Sequence, residues 1–172
     1  MRTFGDFKIG EKVVYPNHGI GVIESIQERQ GQDSADKFYR LRLLANDSTV
    51  MVPLENINQV GLRRVISKKE ITGVFGILKG NEVAVTRDWK GRYQENSDKM
   101  RTGEIQAVAL VLKSLTLLSH KKSLSYRERR MLDKARYLIV SEIAEVEKIP
   151  EEKAEARVER AVRTSIRSTV DH

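Results

Sequence analysis

The segment Arg87-Asp-Trp-Lys-Gly-Arg-Tyr93 holds the residues best suited to chemistry, because two aromatic side chains alternate there with three cations. Aromatic rings can stack on nucleic-acid bases or wedge between them, while cations bind phosphates. The candidate DNA-contacting residues of this segment are Arg87, Trp89, Lys90 and Arg92. At helical spacing from Tyr93, which we expect in the core, Trp89 is equally suited to being a core residue, so both interpretations stay open.

A second set of cations opens a predicted helix after Ser125. Arg127, Arg130 and Lys134 follow one another at three- and four-residue steps, which places them on one helix face. Cations at a helix N-terminus are disfavoured by the helix macrodipole, so helix stability does not account for them. We predict that these three residues form a stripe that binds phosphates, and the same set of cations also includes Arg129 and Arg136.

The net charge of +7 is concentrated in the middle of the chain. Residues 79–136 hold 14 Lys and Arg against 7 Asp and Glu, whereas residues 137–172 hold 6 against 8. Clustered cations bind polyanions by releasing the counterions condensed on phosphates. The distribution therefore predicts a nucleic-acid contact, with an ordinary solvated basic surface as the alternative.

No residue pattern indicates an active site. The chain has no cysteine, which excludes disulfides, thiolate zinc sites and cysteine nucleophiles. Its three histidines, His18, His120 and His172, are scattered, and His18 beside Gly19 is typical of a turn. We therefore expect no catalytic residue, no metal site, no cofactor and no small-molecule substrate.

The first eight residues carry charge where a signal peptide needs an apolar stretch, and no apolar run approaches the length of a membrane span. We therefore expect a cytoplasmic protein without a membrane partner. A hydrophobic content of 40% with 32% charged residues indicates a packed globular fold.

Short strands are predicted in the first part of the chain, in residues 12–15, 20–26, 38–44 and 49–52, where apolar residues alternate or form short runs between turns. The polar segment Glu28–Asp36 is predicted to be an exposed, mobile hairpin loop. So few short strands in about 55 residues favour a small SH3-like or Tudor-like barrel. We assign it to residues 1–64.

Helical spacing begins after Ser67-Lys-Lys-Glu70, a capping-box pattern that recurs at Ser125-Tyr-Arg-Glu128. About five helices are predicted in residues 65–172, and the most hydrophobic, from Ile105 to Leu118, is expected at the centre of the bundle. The predicted fold is α+β with two domains, a small β barrel followed by a compact helical bundle.

Five segments carry a family resemblance when taken together and in order. They are Gly10-Glu-Lys-Val-Val-Tyr-Pro-Asn-His-Gly19, Val52-Pro53, Val60-Gly-Leu-Arg63, Trp89-Lys-Gly-Arg-Tyr93 and Leu124-Ser-Tyr-Arg-Glu-Arg-Arg-Met-Leu-Asp-Lys-Ala-Arg136. They resemble the CarD/CdnL family of bacterial transcription regulators over nearly the whole chain. The first segment alone is less specific, because a similar module occurs in the transcription-repair coupling factor.

The resemblance implies a Tudor-like N-terminal domain that binds the RNA polymerase β subunit, and a helical C-terminal domain that contacts promoter DNA at the upstream edge of the transcription bubble. Family members modulate open-complex formation by the holoenzyme with the primary σ factor, so the protein would be associated with the nucleoid through RNA polymerase. Trp89 matches the family's tryptophan, which acts as a wedge at the minor-groove edge of the melted DNA. Basic family positions are matched by Arg92, Arg129, Arg130 and Lys134.

On the polymerase side, Arg29 matches a contact arginine of the family, and the segment from Thr49 to Val52 matches the strand that pairs with the polymerase. The implied polymerase-binding residues are Arg29, Thr49, Val50, Met51, Val52 and Pro53. Met51 stands where some members have arginine, while Gly91 and Gln94 stand where some have cations. These departures put in question the strength of the polymerase contact and of the DNA contact around Trp89.

Two other functions stay open on the residues alone. Small barrels beside basic helices also occur in RNA- or ribosome-associated adaptors, which is the main alternative. A metal-dependent nuclease is less well supported, because no clustered acidic or histidine ligands are visible in the sequence.

Overall fold

The computed structural model describes residues 7–30, 35–80 and 89–170, and at 29–30, 35–36, 89–90 and 167–170 it describes the backbone alone. The chain divides into two compact units, Met1–Val65 and Ile66–His172. The first unit carries the described strands and the second carries the long helices. The predicted α+β class, with a small β module ahead of a helical bundle, is confirmed.

The β unit is built on one antiparallel sheet with the strand order β4-β3-β2-β1-β5. Its elements are β1 Lys12–Tyr15, β2 Gly19–Gln30, β3 Ala35–Leu43, β4 Thr49–Pro53, a 3₁₀ turn Leu54–Asn56, α1 Ile57–Val60 and β5 Arg63–Arg64. Asn17 and Gly19 have positive φ in the tight turn between β1 and β2, and glycine adopts that conformation without steric cost. The order leaves β4 at one edge of the sheet.

The core of the β unit is formed by alternate residues of the strands, which point to one face of the sheet. Tyr39 is its largest fully buried residue, and its ring packs edge-on against Phe7 with the centroids 5.9 Å apart. The Tyr39 hydroxyl donates to the Phe7 carbonyl at 3.4 Å, so the buried phenol is satisfied. The rest of this core comprises Val13, Ile23, Leu41, Val52, Ile57 and Leu62.

The predicted loop over Glu28–Asp36 is wrong for most of its length. The β2 and β3 strands continue as a ribbon in which Glu28 pairs with Lys37, Arg29 with Asp36, and Gln30 with Ala35. Residues 31–34 lie outside the described residues. The strands were missed because the described side chains Gln27, Glu28 and Lys37 are exposed and polar, so no apolar alternation marks the ribbon.

The helical unit contains five α-helices among its described residues, as predicted. They are α2 Lys68–Lys79, α3 Trp89–Thr102, α4 Ile105–Lys121, α5 Tyr126–Glu147 and α6 Glu151–Val170. Both predicted helix starts are confirmed by their N-caps: the Ser67 hydroxyl accepts from the Glu70 N–H, and the Ser125 hydroxyl accepts from the Glu128 N–H, each at 3.2 Å. No helix among the described residues is long and apolar enough to cross a membrane.

Helix α4 is the centre of the bundle, as its hydrophobic sequence predicts. It contacts α2, α3, α5 and α6. Its residues Ala109, Val111 and Leu115 are fully buried, because apolar side chains on more than one face require neighbours on more than one side.

Three charged side chains, Lys113, Glu128 and Glu142, are buried among the described residues of the helical unit, and Lys113 and Glu142 bond to backbone groups at the two ends of α2. Glu142 accepts from the Ile66 N–H at 2.9 Å and so holds the chain that leads into α2. Lys113 donates from its ammonium to the Ile77 carbonyl at 3.0 Å and to the Gly80 carbonyl, which also accepts from the Ser165 hydroxyl at 2.9 Å. These carbonyls belong to the C-terminal end of α2, where a cation is electrostatically favoured.

Replacing Lys113 with methionine keeps a side chain of similar volume but removes the charged donor from the end of α2. Hydrogen bonds from a charged group contribute about 1.5–3 kcal/mol each. We expect Lys113→Met to lower the free energy of unfolding in urea by about 1–3 kcal/mol, while Lys121→Met, at the exposed end of the same helix, changes it by less than about 0.5 kcal/mol. An unchanged urea midpoint for Lys113→Met would show that desolvation of the ammonium cancels its bonds.

Candidate functional site

The basic stripe occupies the first three turns of α5. Arg127, Arg129, Arg130 and Lys134 are all exposed. Among the residues that the structure describes, none of these four forms a salt bridge, whereas Arg136 lies 3.6 Å from Asp133. Cations without carboxylate partners are accessible to an external anion, and these four residues form an exposed patch of positive charge on α5.

Within the stripe the cations influence one another. Partial burial lowers the pKa of the Lys134 ammonium, and the positive charge of Arg130 one turn earlier lowers it further. Mutual repulsion of this kind is an unfavourable term for the isolated protein. A polyanion bound along the stripe would relieve it.

Arg92 occupies a different environment from the other predicted DNA contacts. Its Nε lies 2.8 Å from Glu128 Oε2 and its Nη2 lies 3.1 Å from Glu128 Oε1, a bidentate ion pair. The two side chains are only 11% and 2% exposed. The guanidinium of Arg92 therefore joins α3 to α5, and this buried position favours a structural role over a contact with phosphate.

The Glu128 carboxylate is held in its charged form by several donors. The Arg92 guanidinium is the main reason that the pKa of Glu128 is lowered, and the hydroxyl and backbone of Ser125 lower it further, against the opposing effect of burial. The carboxylate also sits in the first turn of α5, where a negative charge is favoured by the helix macrodipole. The Glu128 carboxylate thus joins the N-cap of α5, through the hydroxyl and backbone of Ser125, to the first turn of α3, through Arg92.

The remaining predicted DNA contacts are only partly covered by the structure. Arg87 lies outside the described residues, and the side chains of Trp89 and Lys90 lie outside them as well. Helix α3 begins at Trp89, so Arg92 follows in the first turn of that helix. Tyr93 is partly buried, and the position of Gly91 is exposed.

One exposed aromatic residue was not singled out from the sequence. Tyr126, the first residue of α5, is 74% exposed, and the guanidinium carbon of Arg130 lies 5.7 Å from the centre of its ring. The two residues are four positions apart, the spacing of neighbours on one helix face. A helical projection of the stripe could have identified Tyr126, because Tyr126 and Arg130 are four residues apart and share a helix face.

The predicted polymerase-binding strand lies at the free edge of the sheet. Thr49 to Pro53 form β4, which among the described strands pairs with β3 alone. Val52 is buried and Val50 is partly buried, whereas Met51 is 42% exposed and lies directly opposite Arg40. The side chain of Arg29 lies outside the described residues.

The charges beside Met51 are balanced within the β unit. Arg42 bonds to Glu24 at 2.8 Å and to Asp47 at 3.2 Å, and Arg40 lies 3.6 Å from the same Glu24. The hydrogen bond to Glu24 is the first cause of the raised pKa of Arg42. The outer face of β3 and β4 is therefore an ion-paired surface with one exposed methionine.

The described residues contain no group of three or more histidine, aspartate and glutamate side chains that could hold a metal ion. His18 stacks at a tilt against Tyr15, with 5.0 Å between the ring centroids, in the turn after β1. His120 lies exposed near the end of α4. The arrangement that the structure does offer is a basic helix surface and an open strand edge, which are binding features.

The ion pair between Arg92 and Glu128 predicts a defined pH dependence. A carboxylate with a lowered pKa stabilises the fold above the ordinary glutamate pKa of about 4.3, and that contribution is lost as the pH falls from there through the lowered value. At pH 7 we expect Glu128→Gln to reduce the free energy of unfolding by about 1–3 kcal/mol, and the difference from the unaltered protein should shrink below pH 4. Glu155→Gln, at an exposed position of α6, is the control. A difference that is constant from pH 7 to pH 3 would contradict this role of the ion pair.

Comparison with known proteins agrees with both units. Residues 7–66 match the model of the CarD-like/TRCF RID domain, and residues 73–159 match that of the CarD C-terminal domain. The chain is also 34% identical over 145 residues to a protein of Bacillus subtilis (strain 168) named "Putative transcription factor YdeB", a match that covers 84% of this chain and 95% of that protein. The chain therefore belongs to the CarD-like family of transcription factors.

Proposed function

We propose that this protein binds the RNA polymerase β subunit through its β unit and stabilises the promoter open complex by contacting DNA, without reading sequence, at the upstream edge of the bubble. The observation that carries the proposal is the set of four exposed cations on α5 that have no carboxylate partner among the described residues. Such a stripe supplies affinity for phosphates without base discrimination. The protein would act in the cytoplasm, at the nucleoid, through the polymerase.

The polymerase contact is proposed for the open edge of β4. A strand with one free side offers unpaired backbone groups to a strand of another protein, and this mode of recognition gives affinity through main-chain hydrogen bonds. Four features support it: β4 is at the edge of the sheet, its neighbours are ion-paired within the unit, Met51 is exposed, and the matched domain family shares its name with the transcription-repair coupling factor module. The proposed contact residues are Arg29 and Thr49 to Pro53.

The proposed effect on transcription depends on a difference in affinity. A ligand shifts an equilibrium between closed and open promoter complexes only if it binds one of them more tightly. The DNA phosphates that the α5 stripe would bind are present in both the closed and the open complex, so the stripe adds the same affinity to both. We assign the difference to Trp89, because melted DNA offers an unstacked step into which an aromatic ring can insert.

We assign Arg92 to positioning, which modifies the prediction made from the sequence. Its guanidinium is bonded to Glu128 through two nitrogens, and a phosphate would have to replace that buried carboxylate. By fixing the first turn of α3 on the first turn of α5, Arg92 sets where the helix that begins at Trp89 starts relative to the basic stripe. The proposed DNA-binding residues are Arg87, Trp89, Lys90, Arg127, Arg129, Arg130 and Lys134.

The two departures near Trp89 reduce the positive charge available there. Gly91 offers no side chain, and the Gln94 amide donates to Asp98 at 2.9 Å along the same helix. We expect the α5 stripe to carry most of the phosphate affinity as a result. Phosphate contacts are therefore expected to be concentrated on one helix.

Introducing a negative charge at Met51 tests the polymerase contact. Met51→Glu places a carboxylate opposite Arg40, so the β unit should tolerate it, while a carboxylate in place of a methionine should weaken binding at the proposed interface. In pull-downs with the polymerase β subunit we expect at least a tenfold loss for Met51→Glu and less than a twofold change for Asn58→Glu, at an exposed position of α1. Equal recovery of β by both variants at unchanged thermal stability would rule out this edge as the contact.

Removing the proposed wedge tests the mechanism. Stacking of a base on an aromatic side chain contributes about 1–3 kcal/mol, which corresponds to roughly 5- to 150-fold in lifetime. We expect Trp89→Ala to shorten the lifetime of promoter open complexes by a factor in that range, with Trp89→Phe intermediate. A thermal melt of each variant separates loss of the contact from loss of the fold, and an unchanged lifetime in a folded Trp89→Ala protein contradicts the wedge.

A further inference from the structure

The start of α5 presents an aromatic ring to solvent among cations. Tyr126 is 74% exposed, far more than Tyr137, which is 38% exposed and is the other exposed aromatic residue that the structure describes. Burying an aromatic ring is strongly favourable, so a ring left this open gains little from the fold. Packing within the fold therefore does not explain why Tyr126, beside the basic stripe, is so exposed.

The ring of Tyr126 has cations around it. The Arg130 guanidinium lies 5.7 Å from the ring centre, within the range of a cation–π contact, and Arg127 and Arg129 are exposed in the same turn. The contact with Arg130 restricts the freedom of both side chains, which reduces the entropy lost when either one binds a ligand. The result is an exposed ring with one guanidinium over it and two further exposed cations, Arg127 and Arg129, within the same helical turn.

An aromatic ring among arginines can bind either a nucleic acid or another protein. Tyrosine and arginine are both common in protein interfaces, but such interfaces surround them with apolar contacts and paired charges. Around Tyr126 the exposed neighbours are Arg127, Arg129 and Arg130, none of which has a carboxylate partner among the described residues. This composition fits single-stranded nucleic acid, where bases stack on rings while cations follow the backbone.

We propose that Tyr126 is a second aromatic contact of the DNA-binding surface, which stacks with an unpaired base of melted DNA while Arg127, Arg129 and Arg130 bind the flanking phosphates. The inference rests on the proposed DNA contact of α5 and adds to it a preference for single strands. In a paired duplex each base is already stacked on its neighbours, so the ring gains a partner only where strands have separated. The preference for open DNA would then be shared between Trp89 and α5.

The experiment measures binding of the full-length protein to a 5′-labelled 12-nucleotide single strand and to the corresponding duplex, by fluorescence anisotropy over a series of salt concentrations. We expect Tyr126→Ala to weaken single-strand binding at least fivefold, to change duplex binding less than twofold, and to leave the salt dependence unchanged because no charge is lost. Tyr126→Phe keeps the ring and should bind like the unaltered protein.

Two further variants identify the source of any change. Tyr137→Ala removes a tyrosine from the same helix at a position without a cation over its ring, and should leave single-strand binding unchanged. Arg129→Gln removes one phosphate contact and should weaken binding to both DNAs with a shallower salt dependence. Tyr126 is highly exposed at the first position of α5, so its replacement should leave the fold intact, and far-ultraviolet circular dichroism of each variant checks this directly.

The outcomes separate the inference from the function on which it rests. If Arg129→Gln weakens binding and Tyr126→Ala does not, the stacking role is overturned and the DNA contact stands. If the unaltered protein binds neither DNA even at low salt, both are overturned. If Tyr126→Ala lowers only the recovery of polymerase subunits, the ring belongs to a protein contact and the inference is wrong.

Discussion

The buried ion pair between Arg92 and Glu128 is the interaction on which the geometry of the helical unit's binding surface depends. It joins the first turn of α3 to the first turn of α5 through two hydrogen bonds, and Ser125 completes the coordination of the carboxylate. The same pair neutralises the acidic residue nearest the basic stripe. Without it, Glu128 would offset the positive charge of its neighbours Arg127 and Arg129. One contact thus positions α3 against α5 and keeps the stripe positively charged.

Most of the helical unit could be predicted because its signals are local. Ser67 and Ser125 cap helices at the predicted positions, and the apolar residues of α4 indicated its central place. The partner of Arg92 could not be predicted, because 36 residues separate it from Glu128 and no periodicity relates the two positions. The exposed ribbon of β2 and β3 was missed for a related reason. Each strand of the ribbon is held by its partner strand, while its exposed polar side chains are typical of a loop.

Some features of the candidate site could be predicted from the sequence, and others could not. The cations of α5 could be located from the sequence, because their three- and four-residue spacing is a local pattern. Whether a cation is free or paired depends on residues distant in sequence, and Arg92 and Arg127 look alike until the fold supplies Glu128 to one of them. The strand edge is similar: the residues of β4 were recognisable, but its place at the end of the order β4-β3-β2-β1-β5 required the topology.

If the protein favours the open promoter complex as proposed, it must bind that complex more tightly than the closed one. The direct measurement is the affinity of the full-length protein for polymerase holoenzyme bound to a promoter with a pre-melted bubble, compared with a fully paired promoter held in the closed complex, at one salt concentration. We predict tighter binding to the melted promoter by the factor by which the protein shifts the equilibrium between the closed and open complexes. Equal affinities for the two complexes would contradict it.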